Sequence, residues 1–464
     1  NFASDRMIYW SYSEPRGEGP RACAGIDARR VRVSAAADAR VRDWRLPPRE
    51  AAAAERTESM RKKSNVRMIN LALQGGGAHG AFTWGILDFL LEDPRLAIEG
   101  LSGTSAGSVN AVVLAHGLER GGRDGAREAL ARWWTSVAEL GTAISPVRRA
   151  PWEFLLTGWD PSFTASYHAF RALTQAFSPY QLNPGNVNPL RSLLDSQVDF
   201  AALRSCRAVK LFLSATRVRD GNIRVFHTHE VSADVVLASA CLPQYFQAVE
   251  VGGEAFWDGG FTGNPALFPF FYECGSRDVV IAHVNPIVRE GVPVLPDAIA
   301  DRVNEVTFNS SLIAELRAIA FVQRLVAEGW LKVEKRSRLR YIRMHAIRAD
   351  RALAEFSEAS KYELDLAFLT MLRDRGRETA AAWLDRTWPS IGRRSSIDIR
   401  REYLDGAPMV DPPAPARRPR RKGVPKAKRA PKGPVSGPGA KPARRPATPR
   451  SSTRSRRSTG RSGS

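Results

Sequence analysis

Cysteine is scarce in this sequence. Its four cysteines, Cys23, Cys206, Cys241 and Cys274, are scattered over 464 residues with no C-x-x-C pair. That excludes a disulfide framework and a thiolate zinc site, and it fits a reducing compartment. Long apolar runs are missing too: none approaches the roughly 18 residues that a membrane-spanning helix needs. The N-terminus lacks the charged start, apolar stretch and small-residue cleavage site of a secretory signal. The expected location is therefore cytoplasmic. No carboxylate-rich loop of calcium-binding spacing is present, so calcium dependence is not expected. Internal repeats are absent.

Acidic residues are missing from one end. From Pro412 onward there are 17 Lys+Arg and no Asp or Glu, and no aromatic residue. Residues 1–67 hold 15 basic and 9 acidic residues, so the formal charge of +21 belongs to the two ends and residues 68–411 are close to neutral. Neither end has a sustained period, and both are too poor in apolar surface to order themselves. We expect an N-terminal extension over 1–67, disordered or non-native given that Met68 is a candidate natural start, and a disordered basic tail over 406–464. The first reading of such a tail is a solvated segment with no specific role; the second is attraction to anionic lipid headgroups at a membrane periphery. Nucleic acid is a second, less favoured partner: the charge suits phosphates, but nothing is there to stack on bases.

Between the ends, 43% hydrophobic residues allow a sizeable core. Ile69–Leu73 reads as a buried strand ending in a glycine cluster. Phe82, Ile86, Phe89 and Leu90 then fall at i, i+4, i+7 and i+8, the stripe of a helix on a sheet. Leu96–Leu101 is a second strand, followed by a tight turn and a helix beginning around Val109, Val112 and Val113. The alternation implies a parallel α/β sheet. Residues 120–205 read as mainly helical. Val209–Ala215 with Ile223–Phe226, and Val249–Val251 with Ala255–Trp257, read as hairpins about Asp220-Gly221 and Gly252-Gly253. Val279–Val284 is another buried strand. Beyond Pro286, Leu312, Leu316, Ile319, Val322 and Val326 mark a long amphipathic helix, Leu339–Met344 a strand and Leu364–Leu384 a further helix.

Three motifs bear on chemistry. Gly103-Thr104-Ser105-Ala106-Gly107 is a G-x-S-x-G between strand and helix. A serine there sits on a sharp turn free of bulky neighbours, and the Ala106 N–H behind it can face a developing oxyanion. Gln74-Gly75-Gly76-Gly77-Ala78-His79-Gly80 leaves backbone N–H groups bare, as an oxyanion hole requires. The same Gly75, Gly77 and Gly80 spacing matches a dinucleotide fingerprint. That reading wants an acidic residue ending the second strand, and Glu99 falls inside the strand instead. A serine also needs a base. One candidate is Asp258 in Asp258-Gly259-Gly260; the other is His283, which would complete the Ser-Asp-His chain order of an α/β-hydrolase triad. The residues alone leave these two open.

Taken in order, the Gly75–Gly80 loop, the Gly103–Gly107 elbow, the Ala238-Ser239-Ala240-Cys241-Leu242-Pro243 approach and Asp258-Gly259-Gly260 resemble the patatin-like phospholipase family. The likeness covers roughly residues 68–285. It implies a three-layer α/β/α domain over 68–290 with a central, mostly parallel sheet. A mainly helical C-terminal extension over 291–405 follows, like that of certain bacterial members. It also implies a lipid acyl ester hydrolase of the phospholipase A or lipase type, with Ser105 as nucleophile, Asp258 as base and no catalytic histidine. Gly75, Gly76, Gly77 and Ala106 would form the oxyanion hole. One departure is His79, where many members carry Lys or Arg. His116 reads as a core residue. His227 and His229 share a strand face but have no third ligand.

Overall fold

The computed structural model describes residues 66–147, 152–153, 155, 158–289, 291–331 and 341–405. The expected extensions over 1–67 and 406–464 lie outside these residues, apart from Val66 and Arg67. Eight strands form one sheet: β1 (Arg67–Leu73), β2 (Leu96–Gly103), β3 (Lys210–Arg217), β4 (Ile223–His227), β5 (Val249–Val251), β6 (Glu254–Asp258), β7 (Asp278–His283) and β8 (Arg343–Arg348). Their order is β5-β6-β3-β2-β1-β7-β8, with β4 also paired to β3. The β3–β2–β1–β7–β8 run is parallel; the β3–β4, β3–β6 and β5–β6 pairs are antiparallel. The two hairpins thus sit at one end of a parallel sheet. Parallel strands are covered on both faces, which is why β1 and β7 read as continuous apolar runs rather than alternating ones.

The helices that build the layers and the site are α1 (Gly80–Glu92), α2 (Ala106–Ile144, broken at Gly121 and Gly122), α3 (Ala165–Ala176), α4 (Ala233–Ser239), α5 (Pro296–Ala327) and α6 (Leu366–Thr387). On one face, Ile69, Leu71 and Leu73 of β1 meet Phe82, Ile86 and Val112 of α1 and α2, together with Leu369 and Leu372 of α6. On the other, Ala72, Val279 and Ile281 meet Phe270 and Leu312, Leu316 and Ile319 of α5. This is a three-layer α/β/α arrangement with a mixed, mostly parallel central sheet.

Two features depart from the sequence reading. Helix α1 is buried almost all round, not along one stripe, because α6 lies across its outer side. The backbones touch: a Cβ on Gly376 would fall 2.1 Å from the Phe82 carbonyl oxygen, and one on Gly85 1.9 Å from that of Arg373. Strand β8 begins at Arg343, later than the expected Leu339–Met344, and pairs in parallel with β7. Its polar residues are bound by Asp278: Arg343 donates to it at 2.6 and 2.9 Å, His345 lies 3.0 Å away and the Gly392 N–H is at 2.9 Å. These hydrogen bonds outweigh burial and hold the Asp278 carboxyl far below the usual range. A boundary at residue 290 would therefore separate β8 from the strand it pairs with.

Candidate active site

Strand β2 runs out at Gly103, and α2 starts three residues later. The turn between them forces Ser105 to a φ of 54°, a left-handed conformation that side-chain-bearing residues seldom adopt. Such strain costs on the order of 1–3 kcal/mol and needs surrounding structure to hold it. Here the Ser105 N–H donates to the Ser239 carbonyl at 3.1 Å and to the Ser239 hydroxyl at 3.1 Å, while the Ser105 carbonyl accepts from Ser108 and Val109. The Thr104 hydroxyl donates to the Gly263 carbonyl at 2.6 Å. A Cβ on Gly107 would lie 2.2 Å from the Leu73 carbonyl oxygen, so the elbow can close on β1 only with glycine there. Ser239 ends α4 and lies just before Cys241, so the Ala238–Pro243 stretch braces the elbow.

The glycine loop leaves the end of β1 beside this elbow, and buried amides hold it. Gln74 accepts from the Val284 and Asn285 N–H groups at 2.8 and 2.9 Å. Asn285 donates to the Gly75 carbonyl at 2.8 Å, and the Gly75 N–H donates to the Asn264 side chain at 2.8 Å. Gly75 is thus committed as a donor, which removes it from the expected oxyanion set. The backbone N–H groups of Gly76, Gly77 and Ala106 have no hydrogen-bond partner among the described residues. Gly77 has a φ of 56°, and a Cβ there would lie 2.7 Å from the Lys361 carbonyl oxygen.

Asp258 is the last residue of β6, fully buried, with its N–H donating to the Cys241 carbonyl at 2.7 Å. Its Oδ1 accepts the Gly260 N–H at 2.6 Å. The Oδ2 atom is buried with no hydrogen-bond partner among the described residues, and Ser105 lines the same cavity. Burial pushes the Asp258 carboxyl up to about 7; the Gly260 N–H and the Ser105 hydroxyl pull the other way and only partly offset it.

His283 is placed elsewhere. On β7, Val280 and Ala282 belong to the core shared with α2, whereas Val279 and Ile281 belong to the opposite one. The alternation sends His283 to the side away from the elbow, where its ring packs on Tyr403 at 5.7 Å. Burial lowers it to about 4. His79 is also buried and neutral: its Nε2 lies 2.7 Å from the Ser360 hydroxyl, and burial, then the charges of Lys361 and Arg289, push it down to about 3. His116 is buried on α2, as expected. His227 and His229 do not share a strand face, since β4 ends at His227 and His229 lies in the turn after it. Glu99 sits within β2 and accepts the Gly275 and Ser276 N–H groups at 2.7 Å each, a structural tie.

A cavity of about 280 Å³ opens over Ser105, Asp258 and the Gly75–Gly77 loop. Its walls also contain Asn285, Lys361, Glu358, Arg171 and the tyrosines Tyr167, Tyr245 and Tyr362. Lys361 donates to Asn285 at 2.7 Å and pairs with Glu358 at 2.7 Å. None of these wall residues is marked in the sequence. They come from loops and helices whose spacing carries no signal, and Asn264, Asn285 and Lys361 lie 189, 210 and 284 residues or so from the loop they serve.

The fold and cavity define an α/β domain presenting a strained serine, a buried carboxylate and free backbone donors to one pocket. Residues 71–271 match the family described as patatin-like phospholipase. That match supports lipid acyl hydrolase activity in general. Among solved structures, the crystal structure of VipD from Legionella pneumophila is 15% identical, over 69% of this chain and 67% of that one, with a TM-score of 0.31. At that score the likeness carries no functional argument. No curated protein matches the chain.

Proposed function

We propose that the protein hydrolyses acyl esters of lipids through a Ser105–Asp258 dyad without a cofactor. The observation that carries this reading is a fully buried Asp258 carboxylate lining the same cavity as a serine held on a strained turn. An aspartate is a poor base in water, with a reference value near 3.9. A dry pocket brings its basicity near neutral pH, where general-base catalysis works best. Ser105 Oγ attacks the ester carbonyl carbon while Asp258 takes its proton. The oxyanion is held by the N–H groups of Gly76, Gly77 and Ala106, without Gly75. The tetrahedral adduct collapses, the alcohol or lysolipid leaves with the proton from Asp258, and water repeats the route on the acyl-enzyme. A fluorophosphonate probe should label the protein, and peptide mapping should place the label on Ser105. Labelling at another serine, or none, would remove the basis of the dyad.

Lys361 completes this reading. With His79 neutral, the cation tied to the glycine loop is the Lys361 ammonium, which is paired with Glu358 and orients Asn285 against Gly75. Lys361→Met should lower kcat about tenfold to a hundredfold with little change in KM, and Lys361→Arg should keep most of it. The discriminating readout is that split: a purely structural loss would lower the fraction of protein that a fluorophosphonate can titrate, leaving kcat per labelled site intact.

A further inference from the structure

From Pro161 to Leu190 the chain has no Asp, Glu or Lys, and Arg171 is its one fixed charge, in a protein with 25% charged residues. Yet this stretch is largely on the surface: Phe163 is 76% exposed, Leu173 49%, Phe177 47% and Val187 69%. Across the pocket mouth, α5 does the same. Leu295, Ile299, Val303 and Val306 are spaced i, i+4, i+8 and i+11, a single helical stripe, and all four are exposed where an amphipathic helix should be polar. The two helices are joined by the Arg171–Asp297 ion pair at 2.9 Å. Between the two apolar faces they line the cavity, α3 with Tyr167, Arg171 and Thr174, α5 with Ala300, Asp301 and Asn304. Exposed apolar surface on this scale marks a site of contact.

We propose that α3 with its following loop and the first half of α5 form a hydrophobic docking surface that seats the pocket mouth on a phospholipid bilayer. The proposal rests on the pocket's being a lipid ester site. A protein covering both faces would also cover the mouth between them and block entry. A bilayer there does the opposite: its lipids reach Ser105 without crossing water. Residues 161–190 have no acidic group, and their one cation is paired with Asp297. The α5 half adds the acidic Asp297 and Asp301, so the surface carries no excess positive charge to draw anionic headgroups. Adsorption therefore comes from apolar side chains entering the headgroup–acyl boundary, and not from charge. It is insensitive to salt, unlike attraction by the 17 basic residues after Pro412, which screening weakens.

The test is flotation of the full chain with vesicles of ether-linked phosphatidylcholine, which has no acyl ester to cleave, at low ionic strength and at about 0.5 M salt. The intact protein and a chain lacking residues 412–464 should float equally well in both. A variant carrying Leu173→Glu, Phe177→Glu, Leu295→Glu and Val303→Glu should partition at least about tenfold less, each charge opposing insertion. Its turnover of a soluble short-chain ester should stay within about twofold of the intact protein, since none of the four lines the cavity. Equal flotation of the variant, or binding that vanishes with the tail or with salt, overturns the proposal. So does an intact protein that ignores vesicles but forms a dimer that the variant does not, which would make a second copy the occupant. If the intact protein turns over no soluble ester, the hydrolase reading fails, and flotation still judges the docking surface by itself.

Discussion

Replacing Ser105 by Ala, or Asp258 by Asn, is expected to lower kcat/KM on a soluble short-chain ester by about 10^4-fold or more, equivalent to about 5 kcal/mol of transition-state stabilisation. The double variant should be no worse than either single one, because a nucleophile and its base act as a unit. His283→Ala should keep activity within about tenfold of the unaltered protein, as its ring lies across the sheet from the elbow and packs on Tyr403. Losing that ring leaves a cavity, so thermal unfolding should be recorded beside the kinetics. The reverse pattern, with His283→Ala inactive and Asp258→Asn active, would replace the dyad by a Ser-Asp-His triad.

The second large effect concerns pH. With the Asp258 carboxyl at about 7, kcat/KM should be flat above that value and fall about tenfold per pH unit below it, as the base becomes protonated. The same shift bears on stability. The folded value lies above the unfolded one of about 3.9, so between pH 4 and 7, roughly, the folded state binds more protons than the unfolded. The ionised carboxylate then costs the fold increasingly as pH rises through this window, with the full cost present above about 7. Asp258→Asn removes that cost while its side-chain oxygen can still accept the Gly260 N–H. The variant should therefore be more stable than the unaltered protein at pH 8, by on the order of a few kcal/mol, and little different near pH 4. Glu315, also pushed up to about 7 by burial, imposes the same slope on both proteins and cancels in the comparison. An Asp258→Asn protein that unfolds more easily at pH 8 would show that the carboxylate is stabilised in the fold, contrary to a dry pocket. Catalysis and stability thus oppose each other at this one residue, as strained and desolvated sites commonly require.

Much of the catalytic half of the chain is legible in the sequence because its determinants are local. A buried strand, a glycine cluster and an amphipathic stripe lie next to one another over residues 69–90, so β1, the loop and α1 follow from neighbouring residues. The same holds for the elbow and for both hairpins, whose turns are written as Asp220-Gly221 and Gly252-Gly253. A tight turn is specified by the residues that make it, which is why Ser105 and Asp258 are identifiable as candidates. Their pairing is not: two bases fit the chain order, and resemblance rather than residue chemistry chooses between them. In the fold, strand alternation sends one candidate to the far side of the sheet.

What sequence determined by itself, then, was the set of short-range devices: strands, helical stripes, glycine turns and the residue types able to do the chemistry. Tertiary structure alone decided which of them meet. It committed the Gly75 amide to Asn264 and left those of Gly76 and Gly77 free. It brought Lys361 to a loop nearly three hundred residues away, laid α6 over α1, and set β8 beside β7 through Asp278. The reason is physical. Turn and strand preferences act over a few neighbouring residues, whereas burial, hydrogen-bond partnership and the resulting basicity of Asp258 depend on atoms brought close only when distant segments pack.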